Sequence, residues 1–467
     1  MATITGNVNI TPSQTKVALP GSYITDFNFL NQYLPDTYEK EFERYGNRSV
    51  SSFLRLVGAE LPCSSDLIKW SEQGRLHIKY EDVVIADTIA AGDGSLELEI
   101  ASAAIRKGQT VMISDGTSAT VSAKGIVTSV TDTKVAVALF DAAGVPSFTS
   151  LAAPGSTDNS GTNVDVFIYG SEFKKGTTGM EKALEADNDI FDNNPIIIKD
   201  KYEVAGSDMA QIGWIEVEGD NGVGYLWYLK SEHETRLRFE DYLETAMIEA
   251  VPAKDVTGQT SEAFALGYKG SEGLLHALEE RGNIATGALD SLTEIDKVVA
   301  QLDKQGAIEE NVMFVNRGTS FEIDNMLAAQ NNFGSSGASF GLFDNEKDMA
   351  LNLGFSGFRR GYDFYKSDWK YLNDATMRGG IVGGGIDGVI VPAGSTTVYD
   401  EVMGKNAKRP FLHVRYKASE TEDRKMKSWV VGSAGGASTS DLDAMQVHFL
   451  SERALCTLGA NNFFLLK

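Results

Sequence analysis

With 467 residues, 42% of them apolar, the chain is long enough for roughly three domains and can bury substantial cores. Its 65 acidic residues against 42 basic ones leave a net charge of −23. That excess excludes a duplex-reading role, because duplex binding is driven by Lys and Arg displacing counterions from phosphate. Two isolated cysteines, Cys63 and Cys456, exclude a disulfide framework or a thiolate metal site within one chain. They read as buried small apolar residues of a protein made in a reducing cytoplasm. Met1–Gly21 lacks the basic start and apolar block of a signal peptide. No run reaches the roughly 20 apolar residues of a membrane span.

Residues 1–50 read as an arm: a polar, Thr-rich start, then Phe27, Phe29, Tyr33, Tyr38, Phe42 and Tyr45. That much aromatic area near a terminus needs a surface to cover. Arg75–Tyr80 alternates, with Leu76, Ile78 and Tyr80 on one side and Arg75, His77 and Lys79 on the other, which predicts a half-buried strand. A second strand is predicted at Asn163–Tyr169. Between them the composition changes: from Ala86 to Thr162 only Phe140 and Phe148 are aromatic. Short alternating segments recur there at Ser95–Ile100, Thr110–Ile113, Gly125–Val130 and Lys134–Leu139, separated by Gly-containing turns. The pattern predicts a small barrel or sandwich inserted into a hairpin.

A long helix is predicted from about Gly224 to Pro252, with Leu226, Leu229, His233, Leu237, Leu243, Met247 and Ala250 as a narrow apolar stripe and a heavily charged back. Glu232–Arg236 and Glu234–Arg238 are correctly oriented pairs one turn apart. Ser291 and Glu294 have capping-box spacing before a helix that Gly306 stops, and Thr319 and Glu322 repeat that spacing after a strand at Asn311–Val315. Gly334–Val391 suggests loops and short strands. Further strands are expected at Pro410–Tyr416, Lys427–Val431 and Met445–Phe449.

Catalytic and metal signatures are weak. The five histidines form no local pair; His233-Glu234 opens like a zinc-protease motif, but Leu237 stands where the second ligand belongs. His77 and His413 fall on polar positions of alternating segments. Gly337-Ala338-Ser339-Phe340-Gly341 has the spelling of a nucleophile elbow inside a loop composition, without the strand and helix that make such a serine reactive. Gly383–Gly388 spells G-x-G-x-x-G before a short strand, not a helix N-terminus. Asp187, Asp189 and Asp192 lack the glycine and final glutamate of a calcium loop. A basic cluster, Lys405 to Lys427, stands out in an acidic chain. It reads either as a solvated face or as an edge that meets an acidic face of a neighbouring copy.

Several stretches carry a resemblance: Tyr169–Thr177, the charged helix around Tyr228–Met247, Asn311–Asn316 and Leu450–Leu455. Together they resemble the Hong Kong 97-type major capsid proteins of tailed phages, and are most similar to those of crAss-like phages. The resemblance implies an α+β fold with an N-terminal arm (1–50), and an E-loop hairpin with adjoining peripheral strands (51–85 and 163–220). It further implies an inserted β-barrel or sandwich (86–162), and a spine helix with peripheral domain (221–270). An axial domain (271–391) and a returning peripheral sheet (392–467) complete the layout. It implies a non-enzymatic structural protein of the virion, assembled in the host cytoplasm. Its subunits would form pentamers and hexamers of an icosahedral shell around double-stranded DNA, without sequence-specific binding. Portal and decoration or head-fibre proteins would be partners, with no cofactor and no membrane. Candidate inter-subunit contacts are Phe27, Phe29, Tyr33, Trp70, Arg75, His77, Lys79, Lys174, Lys175, Arg424, Lys425 and Lys427. A tail, baseplate or receptor-binding component, with the β insert as interaction module, is the competing reading.

Overall fold

The computed structural model describes residues 53–54, 59–75, 77–86, 94–100, 104–115, 121–144, 146, 163–180, 188–211, 217–219, 222–224, 227–256, 259–331, 356–381, 385–393, 395–400, 405–436 and 438–467. Among them the chain divides into two units. The smaller comprises Lys199–Asp241 and Ser428–Phe449, the larger Val50–Ile198, Tyr242–Lys427 and Leu450–Lys467.

In the larger unit, β1 (Ala59–Cys63) is followed by β2 (Ile68–Gln73), and then by a closed six-stranded barrel. The barrel strands are β3 (Lys79–Ile85), β4 (Ser95–Glu99), β5 (Gln109–Asp115), β6 (Ser122–Val130), β7 (Lys134–Leu139) and β8 (Asn163–Ser171), in spatial order β3-β4-β7-β6-β5-β8. Closure follows from strict period-two patterning. Val83, Ile85, Leu96, Leu98, Val111, Ile113, Val135, Val137, Val164 and Val166 all point inward and fill the interior. The flanking strands β3 and β8 pair with each other, Lys79 opposite Phe167, and are themselves barrel staves. The strand expected from Arg75 starts only at Lys79: Arg75 and Ile78 lie outside any ladder, and His77 is in a bend. After the barrel, β9 (Asn188–Asn193) returns antiparallel to β2, Trp70 opposite Phe191. This ribbon is buried only at its Ile68–Asn193 end.

β10 (Ile196–Ala205) leads into the smaller unit, where α1 (Trp227–Glu249) begins. At 1.5 Å per residue its 23 residues span about 34 Å. Within the smaller unit Phe239 of α1 stacks on Phe449, centroids 5.8 Å apart, and Gln446 Nε2 donates to Glu203 Oε2 at 3.0 Å. The charged back expected for this helix is only partly solvated. From Tyr228 to Glu249 only Arg236, Arg238 and Tyr242 are exposed, and Asp241 and Glu244 are buried. Ion pairs along it include Lys230–Glu234 and Arg236–Glu240. Phe239 and Ile248, outside the expected stripe, are its most buried large apolar side chains together with Met247.

The rest of the larger unit is layered. It contains α2 (Leu274–Arg281), β11 (Asn283–Ala285), α3 (Leu292–Gln305), β12 (Glu310–Val315), α4 (Arg317–Asn331), β13 (Gly357–Arg360), β14 (Tyr362–Asp368) and β15 (Gly388–Pro392). β16 (Leu412–Lys417), β17 (Lys427–Gly432), β18 (Ala444–Thr457) and β19 (Phe464–Leu466) complete the chain, with β17 and the start of β18 in the smaller unit. A six-stranded sheet has order β11-β19-β15-β12-β14-β13. One face packs Met313, Val315, Phe364 and Ile390 against Ile295, Val298 and Leu302 of α3 and Ile323, Met326 and Leu327 of α4. The opposite face packs Phe314, Val389 and Val391 with Leu274, Leu275 and Leu278 of α2 and Met247 and Ile248 of α1. Covered on both sides, β15 is buried at every position, which is why its sequence shows no alternation. β1 runs parallel to β16, which pairs antiparallel with residues 453–457 of β18.

Two caps differ from expectation. Ser291 occupies the N-cap of α3 with its side chain unbonded, so the box with Glu294 does not form. α4 starts earlier than Thr319: the Asn316 side chain accepts from Thr319 N–H at 2.7 Å and caps the helix itself. Gly306 does end α3, at φ 67° and ψ 37° with open space around its α-carbon. Gly306→Ala should therefore lower stability by about 1 kcal/mol through backbone strain alone, and Gly306→Asn by less, read as shifts of the urea midpoint.

Candidate inter-subunit contact surface

Phe27, Phe29 and Tyr33 lie outside the described residues, as do Ser339, Asp187, Gly383 and Gly384. The other candidates fall in three places. Trp70 stands at the base of the β2·β9 ribbon, half-buried and engaged within the chain. Its indole N–H donates to Glu72 Oε1 at 3.0 Å, and its ring lies 6.2 Å from that of Phe191. The Arg281 guanidinium at the end of α2 sits 4.3 Å from the Phe191 centroid and 5.8 Å from that of Trp70, while Nη2 donates to Glu272 Oε2 at 2.8 Å. A cation held over two aromatic faces and anchored by a carboxylate clamps the ribbon to the body. Asn193 completes the clamp. Buried at 3% exposure, it donates to the carbonyls of Glu272 and Leu455 at 2.9 and 2.7 Å. Its Oδ1 accepts from Glu272 N–H at 2.7 Å and from the Ser271 hydroxyl at 3.1 Å.

Beyond the clamp, Arg75 and His77 are exposed between ribbon and barrel, and Arg75 donates to the Lys304 carbonyl at the C-terminal turn of α3. There a cation meets carbonyls that the helix leaves unbonded. Lys79 pairs with Asp165 at 2.9 Å and Glu81 at 3.0 Å, and the hydrogen bond to Asp165 in particular holds its ammonium above the usual lysine range. Lys174 and Lys175 are exposed in the turn after β8, whose Gly176 takes φ 80°.

The basic cluster from Arg415 onward is knitted into the chain's own sheet edge. Arg424 pairs with Glu452 at 2.6 Å, Lys425 with Glu60 at 2.5 Å and Lys427 with Glu422 at 2.5 Å, while Lys417 contacts Asp66. Lys417 holds the Asp66 carboxyl below its ordinary range. Beneath them Arg453, buried at 6% exposure, donates to the Lys425 carbonyl at 2.9 Å and to Ser451 Oγ at 2.9 Å. Burial pulls its guanidinium down, and Glu60 opposes that pull. These contacts fold the 418–426 segment onto β18. The half-exposed pairs are worth at most about 1 kcal/mol each.

No convergent chemistry emerges among the described residues. Among the described residues no group of three or more His, Cys, Asp or Glu is arranged to hold a metal, and no helix is long and apolar enough to cross a membrane. Cys63 and Cys456 are both buried, and burial pushes the Cys63 thiol up. His413 is not on a polar face as expected: it is 2% exposed, with Nδ1 3.2 Å from the Pro410 carbonyl. Asp189 and Asp192 are exposed on β9, and Gly388 opens β15 rather than a helix.

No family model matches the chain, and no curated protein does. Solved structures do. One described as Microbacterium phage Oxtober96 is similar at 10% identity over 95% of this chain and 99% of that one, with TM-score 0.38. Mycobacterium phage Bobi is similar at 10% identity over 93% and 95%, with TM-score 0.35. The asymmetric unit of bacteriophage PhiM1 mature capsid is similar at 10% identity over 64% and 78%, with TM-score 0.33. At such scores the likeness by itself decides no fold.

Proposed function

We propose that this chain is a shell-forming subunit of the Hong Kong 97 type, a major capsid protein of a tailed phage. The observation that carries the reading is the β2·β9 ribbon. It is buried at one end, exposed toward the other, and bears a closed barrel at that exposed end. An isolated two-stranded ribbon is marginal in water, and this one leaves Ile190 69% exposed. Such an element gains stability when a neighbouring molecule covers it. The ribbon with its barrel corresponds in this reading to an E-loop carrying an insert, α1 to the spine helix, and the six-stranded sheet with α3 and α4 to the axial domain. Head-to-tail contacts between identical copies close pentameric and hexameric rings, and these tile an icosahedral shell around packaged double-stranded DNA. Portal and decoration proteins would complete the virion. The acidic balance suits a wall that does not adhere to the genome.

The size of what the purified chain forms tests this. Negative-stain images and mass measurements should show capsomers, sheets or shells; a stable monomer or a trimeric fibre would overturn the reading. Deleting residues 1–45 retains Phe53, a buried core side chain. The truncated subunit should fold yet assemble poorly, and normal shells from it would refute the assignment of an arm.

A further inference from the structure

The barrel is one-sided. On its β4–β7 wall the outward positions are small or charged: Ser95, Glu97, Glu99, Lys134, Ala136 and Ala138, with Glu97 and Lys134 paired at 3.2 Å. The β8–β5–β6 wall is different. Its register sets Phe167 opposite Met112, and Met112 opposite Lys124, whose carbonyl accepts from Phe140 N–H at 3.0 Å. A bulge in β8, where Thr110 meets Gly170 and Val111 meets Ile168, makes Tyr169 the extra residue and turns it outward. Phe140, Phe167 and Tyr169 are 51%, 42% and 46% exposed, and Phe173, just past β8, is 41% exposed. At 150–250 Å² per aromatic side chain, roughly 300 Å² of ring surface is uncovered here, comparable to the largest apolar patch of a typical monomer, which is often functional.

The charge around this face is equally unbalanced. Lys107, Lys124, Lys174 and Lys175 are all exposed, and none has an ion-pair partner among the described residues; the Lys124 ammonium lies 5.9 Å from the Tyr169 ring centroid. The basic residues on the sheet edge near β18, by contrast, are paired with carboxylates. Lys107, Ile126, Phe173 and Lys174 line a groove of ≈ 420 Å³, in which Glu172 is the lining carboxylate.

We propose that the β8–β5–β6 wall of the barrel, with its basic groove, docks on a carboxylate-rich surface of a second copy of this chain. Charge complementarity selects that occupant: unpaired lysines around aromatic rings fit an acidic protein surface, and the chain itself carries an excess of 23 acidic charges. Two such walls cannot face each other, because lysine would meet lysine. The wall therefore meets a different patch of the second copy, which is what the head-to-tail contacts of a ring require. The inference rests on the assembly reading above and names the surface it uses.

The test replaces Tyr169 with the photoreactive p-benzoylphenylalanine in the full chain and irradiates assembled and dissociated protein. The expected result is a covalent pair of twice the chain mass in assembled material only, its linked peptide carrying Asp or Glu. The charge-reversed variant Lys107→Glu/Lys124→Glu/Lys174→Glu changes only exposed side chains. It should keep its circular dichroism while the assembled fraction falls at least tenfold. If the unmodified chain forms no assemblies, the assembly reading itself fails. If it assembles but the probe links to no second copy, or the triple variant assembles normally, the docking surface is wrong and the assembly reading stands.

Discussion

Asn193→Leu should destabilise the larger unit by about 3 kcal/mol or more. The side chain is nearly isosteric, so the cost is not a cavity. It comes from the groups left behind: two carbonyls lose a donor, and the Glu272 N–H and Ser271 hydroxyl lose an acceptor in a site that excludes water. Each buried group without a partner costs about 1–3 kcal/mol, discounted where the site is only partly buried. Asn193→Asp should also fail to restore stability, since a carboxylate accepts the two donors but confronts the two carbonyls. Asp189→Ala, exposed on the same strand, should stay within about 0.5 kcal/mol. Urea midpoints of the purified chain measure the loss. Amide exchange should accelerate first at residues 271–273 and along β9; unchanged exchange there would mean the ribbon is held by something other than this asparagine.

Phe53→Ala should cost about 3–5 kcal/mol, the range for deleting a buried aromatic. Phe53 is 1% exposed, stacked on Trp369 with centroids 4.5 Å apart and edge-on to Phe314 at 4.6 Å. Its backbone N–H donates to the buried Glu244 carboxylate of α1 at 3.1 Å. Removing the ring therefore opens a cavity between sheet and helix, and loosens a place where the described N-terminal chain enters the core of the larger unit. Phe53→Leu should lose less. A stability change under about 1 kcal/mol for Phe53→Ala would show that this aromatic trio is not a packing centre.

Legibility in the sequence followed the range of the interactions. Barrel strands were readable because one wall faces a core and the other faces water, so Leu96, Leu98, Val135 and Val137 alternate with charged or small neighbours. β15 was legible only as a short apolar run, and β18 beyond Phe449 was not legible, because both faces are covered. β18 even buries Glu452 and Arg453, two charged side chains that no local pattern places inside. The Arg281 clamp was invisible for another reason: an arginine at a helix C-terminus looks like any solvated cation until Trp70 and Phe191, far away in sequence, are brought beneath it. The basic cluster invited a neighbour for the same reason, since Glu60 and Glu452 that neutralise it belong to distant strands. On α1 the sequence showed a heavily charged back; at Asp241 and Glu244 tertiary packing buries it.

The pairing of Lys79 with Phe167 has a consequence for how this chain tolerates change. Entry and exit of the barrel lie side by side, so the intervening 87 residues behave as a cassette on adjacent hinges. Replacing them with a short turn leaves β2 and β9 in register, and splicing a foreign domain between the same two points asks nothing new of Trp70, Arg281 or Asn193. A chain built this way can change what its ribbon carries, and with it the surface the barrel offers, while the ribbon's own anchorage is inherited unchanged.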